Sequence, residues 1–235
     1  MENVARAALL SISSRNTDFR ETLRGAIFEN LGFASDTVIG YSAKAIKDWI
    51  GPDLAQLNDF KTLFQLLSHR DRRIQNGVLY AISQRIKNEK NHDALERAGV
   101  VSVIQSLANS NNNEGISFVA LALHSLALTL ARNGHVSDIL RLLASEVPKI
   151  REGASTAIQV IANSSEHDRK SLLDDDILER LTRDEGGTGQ ATLELSSKII
   201  MKLAFDYVRA GKVNFILTLV EYVFQFLHIA LLIGI

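Results

Sequence analysis

The chain has 235 residues with 26 basic and 27 acidic side chains, two prolines, no cysteine, and 46% hydrophobic residues. That length allows one or two domains with a sizeable core, and 23% charged residues beside so much apolar content exclude a disordered chain. The missing cysteines remove disulfides, zinc fingers, thiol catalysis and iron–sulfur ligation together, while a net charge of −1 provides no field to draw in nucleic acid.

Residues 1–12 lack the basic stretch and long apolar run of a secretory signal, so the profile is that of a cytoplasmic chain. From there on the dominant feature is self-similarity. The segment from Arg73 to Ile86 lies over that from Lys149 to Ala162: Ile74 falls on Ile150, Gly77 on Gly153, Val78 on Ala154, Ala81 on Ala157 and Ile82 on Ile158. The same small-and-apolar pattern occurs at Ala8 and Leu9, at Ala45 and Ile46, at Ala122 and Leu123, and more weakly at Lys198 and Ile199. Copies are spaced by roughly 35 to 41 residues, the period of a helical solenoid.

Within each copy a shorter helical pattern precedes the long one. Phe60 to Leu67, Val101 to Ala108 and Val136 to Leu143 carry apolar residues at helical spacing, and each ends in a short polar turn. Pro148 follows the last of these turns and is placed just inside the next helix, where a missing N–H costs least. No single helix has enough apolar surface to stand alone, so the units must stack.

These residues resemble the armadillo repeats. Ile74 to Ile82, followed by Asn91 to Leu107 with Ala98-Gly99 at the corner, is similar to that family's long third helix, repeat boundary and second helix; Pro148 to Ile158 is similar in the same way. The related HEAT repeats share the period, and the subtype stays open between the two. The resemblance covers residues 1–212 and implies an all-α, right-handed alpha-alpha superhelix of about five repeats. The first copy, with Ala5, Ala8, Leu9 and Ile12 apolar, has no helix before it to cover that face, so the expected solenoid is either truncated at its N-terminus or covered there by another molecule.

The resemblance also implies that the third helices line a concave groove for a protein or peptide partner. In members such as importin-alpha, Trp and an Asn four residues later repeat along that groove, the rings flanking a basic peptide's stems and the amides bonding its backbone. The matching pairs here are Lys44 and Asp48, Tyr80 and Gln84, Leu121 and Ser125, Thr156 and Val160, and Lys198 and Lys202. Only Tyr80 with Gln84 resembles the ladder, and Trp49 falls one place beyond it, a core position. Asn76, Ser117 and Glu152, one turn earlier, extend the same face. The candidate partner-binding residues are therefore Lys44, Asp48, Asn76, Tyr80, Gln84, Ser117, Leu121, Ser125, Glu152 and Thr156, a mixed polar surface unsuited to a basic peptide or to nucleic acid.

Other motifs read as structure. Asp174, Asp175 and Asp176 with Glu179 suit the N-terminus of a helix better than a cation site. The six histidines have no paired metal spacing, Gly186 to Gly189 lacks the Lys-Ser/Thr of a phosphate loop, and Asn163-Ser164-Ser165 is a sequon in a chain without a secretory signal. Arg70, Arg72 and Arg73 cluster at one corner as a solvated face. No nucleophile–base–orienter set occurs, so neither catalysis nor a cofactor or metal is expected. Residues 213–235 form an apolar run whose one formal charge is Glu221, long enough for a membrane-spanning helix and equally readable as a terminal repeat helix, since Arg209-Ala210-Gly211 resembles the Ala98-Gly99 corner. The function expected is a non-enzymatic interaction scaffold, or a membrane-tethered version of it anchored by 213–235.

Overall fold

The computed structural model describes residues 57–173 continuously, together with Thr22, Ser42, Ala43, Ile46, Leu203, Asp206, Val208, Arg209, Gly211 and Leu217. The expected N-terminal truncation, Trp49, and the 213–235 segment apart from Leu217 lie outside the described residues. Two compact units divide the chain, Met1–Gln105 and Ser106–Ile235.

Among the described residues all regular elements are helices. In order they are α1 (Leu57–Leu66), α2 (Arg72–Ile86), a 3-10 turn (Glu89–Asn91), α3 (His92–Arg97), α4 (Val100–Ala108), α5 (Asn113–Arg132), α6 (Val136–Leu143), α7 (Pro148–Ala162), α8 (Glu166–Arg169) and a 3-10 turn (Lys170–Leu172). Helices α2, α5 and α7 are the long third helices anticipated from the repeat; α1, α4 and α6 are the shorter second helices.

The three long helices start in the same register because their starts are encoded. Asp71 caps α2 by accepting the Arg73 N–H at 2.8 Å, and Asn112 caps α5 by accepting the Glu114 N–H at 3.1 Å. At the matching place before α7 stands Val147, with no side-chain bond, and Pro148 instead presets the first helical φ. The preceding turns are braced alike. Gln75 Nε2 donates to the His69 carbonyl at 2.7 Å, and Arg151 Nη1 donates to the Ser145 carbonyl at 2.7 Å, each closing a turn left without helical bonds.

The corners before the second helices need a left-handed residue. Gly99 has φ 98° and Gly134 φ 82°, and Gly211 repeats the conformation at 75°, a region that a Cβ disfavours. The Ala98-Gly99 corner is thus where the sequence placed it, and Gly134 marks the equivalent corner one unit later.

The unequal spacing of the copies has one structural source. Gly99 precedes the cap Asn112 by the same interval that separates Gly134 from Val147, so the second helix and its turn are constant. Between α2 and Gly99 there is room for the 3-10 turn and α3, whereas α5 runs unbroken for 20 residues up to Asn133. A short first helix has been fused onto the third helix before it. That fusion makes α5 long and apolar enough to cross a membrane, yet Phe118, Val119, Ala122, Leu123, Leu126 and Leu130 on it are all buried within the protein.

In the first unit, Phe60 and Leu63 of α1 and Ile74, Val78 and Ile82 of α2 make the core with Ile46, Leu95 and Val100. In the second, the buried residues of α5 are joined by Val136 and Ile139 of α6, by Ile150, Ala154, Ala157, Ile158 and Ile161 of α7, and by Leu172 and Leu203. Close backbone approach sets the spacing of the long helices. A Cβ on Gly153 would lie 2.7 Å from the Ala120 Cα, and one on Gly77 would lie 2.7 Å from the Ala43 carbonyl oxygen.

Ionic contacts tie successive first-helix segments of the second unit. The Arg132 guanidinium, at the end of α5, grips Asp168 of α8 with two bonds of 2.6 and 3.0 Å, and Arg169 beside it grips Asp206 at 2.7 Å. The bonds from Arg132 hold the Asp168 carboxyl down at about 2 from an ordinary 3.8, against the opposing cost of burial and with help from the Ser165 hydroxyl. Asp206 likewise raises the pKa of Arg169.

Two outcomes follow from these contacts. Gly153→Ala gains up to about 1 kcal/mol of helix propensity but forces a methyl against backbone, an overpacking cost of about 1–3 kcal/mol; urea unfolding should give a lower midpoint. Because the Asp168 pKa is depressed on folding, its contribution is complete above pH ~4 and is lost as the pH falls through about 2. Asp168→Asn should be less stable than the parent chain at pH 7, by about 1–2 kcal/mol with Arg132 half-exposed. The gap between their unfolding midpoints should narrow between pH 4 and 2.

Candidate functional site

In the first unit, α2 presents Asn76, Tyr80 and Gln84 at successive turns of one face, while Ile74, Val78, Ala81 and Ile82 on other sides of the helix are buried. Gln84 is exposed, and Tyr80 is 44% exposed, a large fraction for an aromatic ring. Asn76 is half-buried, and its Oδ1 lies out of solvent without a hydrogen-bond partner. A carbonyl oxygen in that position normally finds a donor. The two remaining candidates from this unit, Lys44 and Asp48, lie outside the described residues.

In the second unit the equivalent positions sit on two adjacent helices, and the Ser117 and Thr156 hydroxyls are already engaged. Ser117 Oγ on α5 donates to the Asn113 carbonyl at 2.8 Å and accepts from Lys149 Nζ on α7, also at 2.8 Å. Thr156 Oγ1 on α7 donates to the Glu152 carbonyl at 2.8 Å, and the Glu152 side chain is exposed. Leu121 and Ser125 on α5, and Thr156 and Val160 on α7, are half-buried. This face is therefore polar at the start of the two helices and largely apolar toward their ends.

Lys149 was not among the candidates from sequence, although its signal was available. It lies one turn before Glu152, on the same helical face, and its flexible stem reaches across to the neighbouring helix. The basic corner is also more differentiated than a solvated run. Arg73 is tied to Asp71 by bonds of 3.1 Å from Nε and 2.7 Å from Nη2, and these hold the Asp71 carboxyl at about 2. Arg70 and Arg72 are exposed, and no ion pair engages either among the described residues.

Three of the histidines make structural contacts. His69 Nδ1 accepts the Asp71 N–H at 3.0 Å, the buried His92 shares a hydrogen through Nε2 with the Ile86 carbonyl at 2.7 Å, and His135 lies 3.2 Å from Asp138. Among the described residues no group of three His, Asp or Glu is placed to hold a metal ion. Asn163 of the sequon is the exposed C-cap of α7, and Ser165 is the N-cap of α8.

No family model matches the chain, and no curated protein matches it. Solved structures do. A designed armadillo repeat protein in complex with the peptide (KR)4 is similar at a TM-score of 0.52 and 18% identity over 85% of this chain and 92% of that one. A computationally designed armadillo repeat protein for modular peptide recognition is similar at 0.52 and 19% identity over 83% and 90%. A third designed armadillo repeat protein reaches 0.54 at 18% identity over 84% and 87%. The fold is an all-α solenoid of the armadillo type.

A face that binds rather than folds should tolerate truncation. Tyr80→Ala and Gln84→Ala should each change the unfolding free energy by no more than about 0.5 kcal/mol. Ile82→Ala, on the buried side of the same helix, should cost about 2–5 kcal/mol, read from denaturant melts followed by circular dichroism.

Proposed function

We propose that the chain is a non-enzymatic interaction scaffold that captures an extended or helical segment of a partner protein on its third-helix faces. The observation that carries this reading is the division of α2: one side supplies core, and the other exposes the Tyr80 ring and the Gln84 amide. The fold supports it, since designed solenoids of this type are described as recognising peptides. Helices already stacked in place leave the ordering cost of binding to the partner alone.

In the second unit, Leu121, Ser125, Glu152 and Thr156 form the corresponding surface of α5 and α7. Lys44 and Asp48 complete the first-unit set by sequence register. The reading calls for no cofactor or metal. The tethered version rests on the apolar run 213–235, of which Leu217 is helical and exposed; it predicts that the full chain sediments with membranes and that a chain ending at 212 does not.

The scaffold itself is tested by quantitative capture. Tyr80→Ala with Gln84→Ala, and Leu121→Arg with Thr156→Arg, should each deplete partners from a pull-down while the circular dichroism spectrum is unchanged. Partners retained in full by both double variants would remove the third-helix faces from consideration.

A further inference from the structure

Asparagine precedes glycine twice in this sequence, at Asn76-Gly77 and at Asn133-Gly134. That order of residues is chemically reactive, because a glycine nitrogen has no neighbouring Cβ to shield it and its backbone turns freely enough to reach the asparagine side chain. The structure treats the two pairs differently. Asn76 and Gly77 lie inside α2, where the Gly77 N–H belongs to the helical ladder. Gly77 is also buried so close to Ala43 that a Cβ would stand 2.7 Å from the Ala43 carbonyl oxygen, which leaves the pair no room to rotate. Asn133 and Gly134 are both exposed, at the corner where α5 ends.

Hydrogen bonds hold that corner closed. Asn133 Nδ2 donates to the Thr129 carbonyl at 3.0 Å, and the Gly134 N–H donates to the Ala131 carbonyl at 3.1 Å. The His135 N–H reaches back to the Leu130 carbonyl at 2.9 Å, which completes the pattern that ends a helix on a left-handed glycine. All of them lie at a helix end, where local opening requires far less free energy than unfolding of the chain. One contact steadies this last turn from outside it: the Arg132 guanidinium, held on Asp168 by bonds of 2.6 and 3.0 Å.

We propose that Asn133 is a site of spontaneous deamidation, and that the Arg132–Asp168 pair sets its rate by controlling how often the corner opens. On opening, the Gly134 N–H leaves the Ala131 carbonyl and the Asn133 ψ rotates away from 12°. The deprotonated Gly134 nitrogen then attacks Asn133 Cγ. The N–Cγ bond forms, the Cγ–Nδ2 bond breaks, and the side-chain nitrogen leaves as ammonia, carrying in net the proton that the glycine amide gave up. Water opens the resulting cyclic imide. Addition at Cγ gives aspartate, and addition at the main-chain carbonyl gives isoaspartate, whose backbone runs through Cγ and is longer by one methylene. Either product puts a carboxylate at the negative end of the α5 dipole. The longer backbone of the isoaspartate also moves Gly134 out of register with the Ala131 carbonyl, so the corner that leads into α6 is weakened.

The test ages the full chain at neutral pH and body temperature, in buffer and in guanidinium chloride, and follows the digested peptides that hold Asn76 and Asn133. A gain of about 1 Da marks conversion, and isoaspartate is counted by methyl transfer from S-adenosylmethionine with an isoaspartyl methyltransferase. In denaturant the two peptides should convert at similar rates. In buffer the Asn133 peptide should convert at least about tenfold faster than the Asn76 peptide. Asp168→Asn should speed the Asn133 peptide several-fold and leave the Asn76 peptide unchanged. Asn133→Gln, with a side chain too long to close the same ring, should abolish the mass gain at that corner. Conversion at Asn133 no faster than at Asn76 in buffer would overturn the site. An Asn133 rate unmoved by Asp168→Asn, or equal acceleration of both peptides, would overturn its control by the ion pair.

Discussion

Everything positioned on the third helices depends on how closely their backbones approach. Where Gly153 meets Ala120, the absence of a side chain lets α7 slide against α5 until helix touches helix, and Gly77 does the same for α2 against the segment at Ala43. A contact of that kind fixes both separation and axial register, because displacing either helix by one residue would bring a side chain into the space left by the glycine. Lys149 can then span to Ser117, and the positions one turn apart stand as a surface and not as unrelated side chains.

Much of this was legible in the chain. The pairing of Gly77 with Gly153, the position of Pro148 and the Ala98-Gly99 corner each report a backbone demand that few residue types satisfy, so the pattern survives where overall similarity is weak. The apolar third-helix positions could be read from periodicity alone, and they are the buried ones. Other features were hidden for definable reasons. The fusion in α5 is visible in sequence only as an uneven interval. The Arg132–Asp168 and Arg169–Asp206 pairs join residues far apart in sequence with no local pattern to announce them.

The candidate face was harder to read than the fold. Position along the repeat identified Asn76, Tyr80 and Gln84, but not that Ser117, the equivalent of Asn76 on α5, is already bonded to Lys149 of α7. Burial of a single oxygen and the reach of one lysine decide that difference, and both depend on neighbouring helices. The repeating Trp and Asn of importin-alpha have one approximate counterpart in this sequence, Tyr80 with Gln84. Elsewhere stand unlike faces, each with its own chemistry, on a framework whose corners and helix starts repeat faithfully.

The unbroken α5 gives the solenoid a mechanical property its repeat count does not suggest. In a chain of stacked units, each interface is ordinarily a noncovalent seam where opening on one side need not disturb the other. Here one seam is bridged by a continuous helical rod, with Arg132 at its far end anchored to Asp168. Bending or fraying at that seam would have to break the hydrogen bonds of the helix as well as the packing around it. Within the second unit, α5 and the helices that follow it are therefore joined by continuous helix as well as by packing.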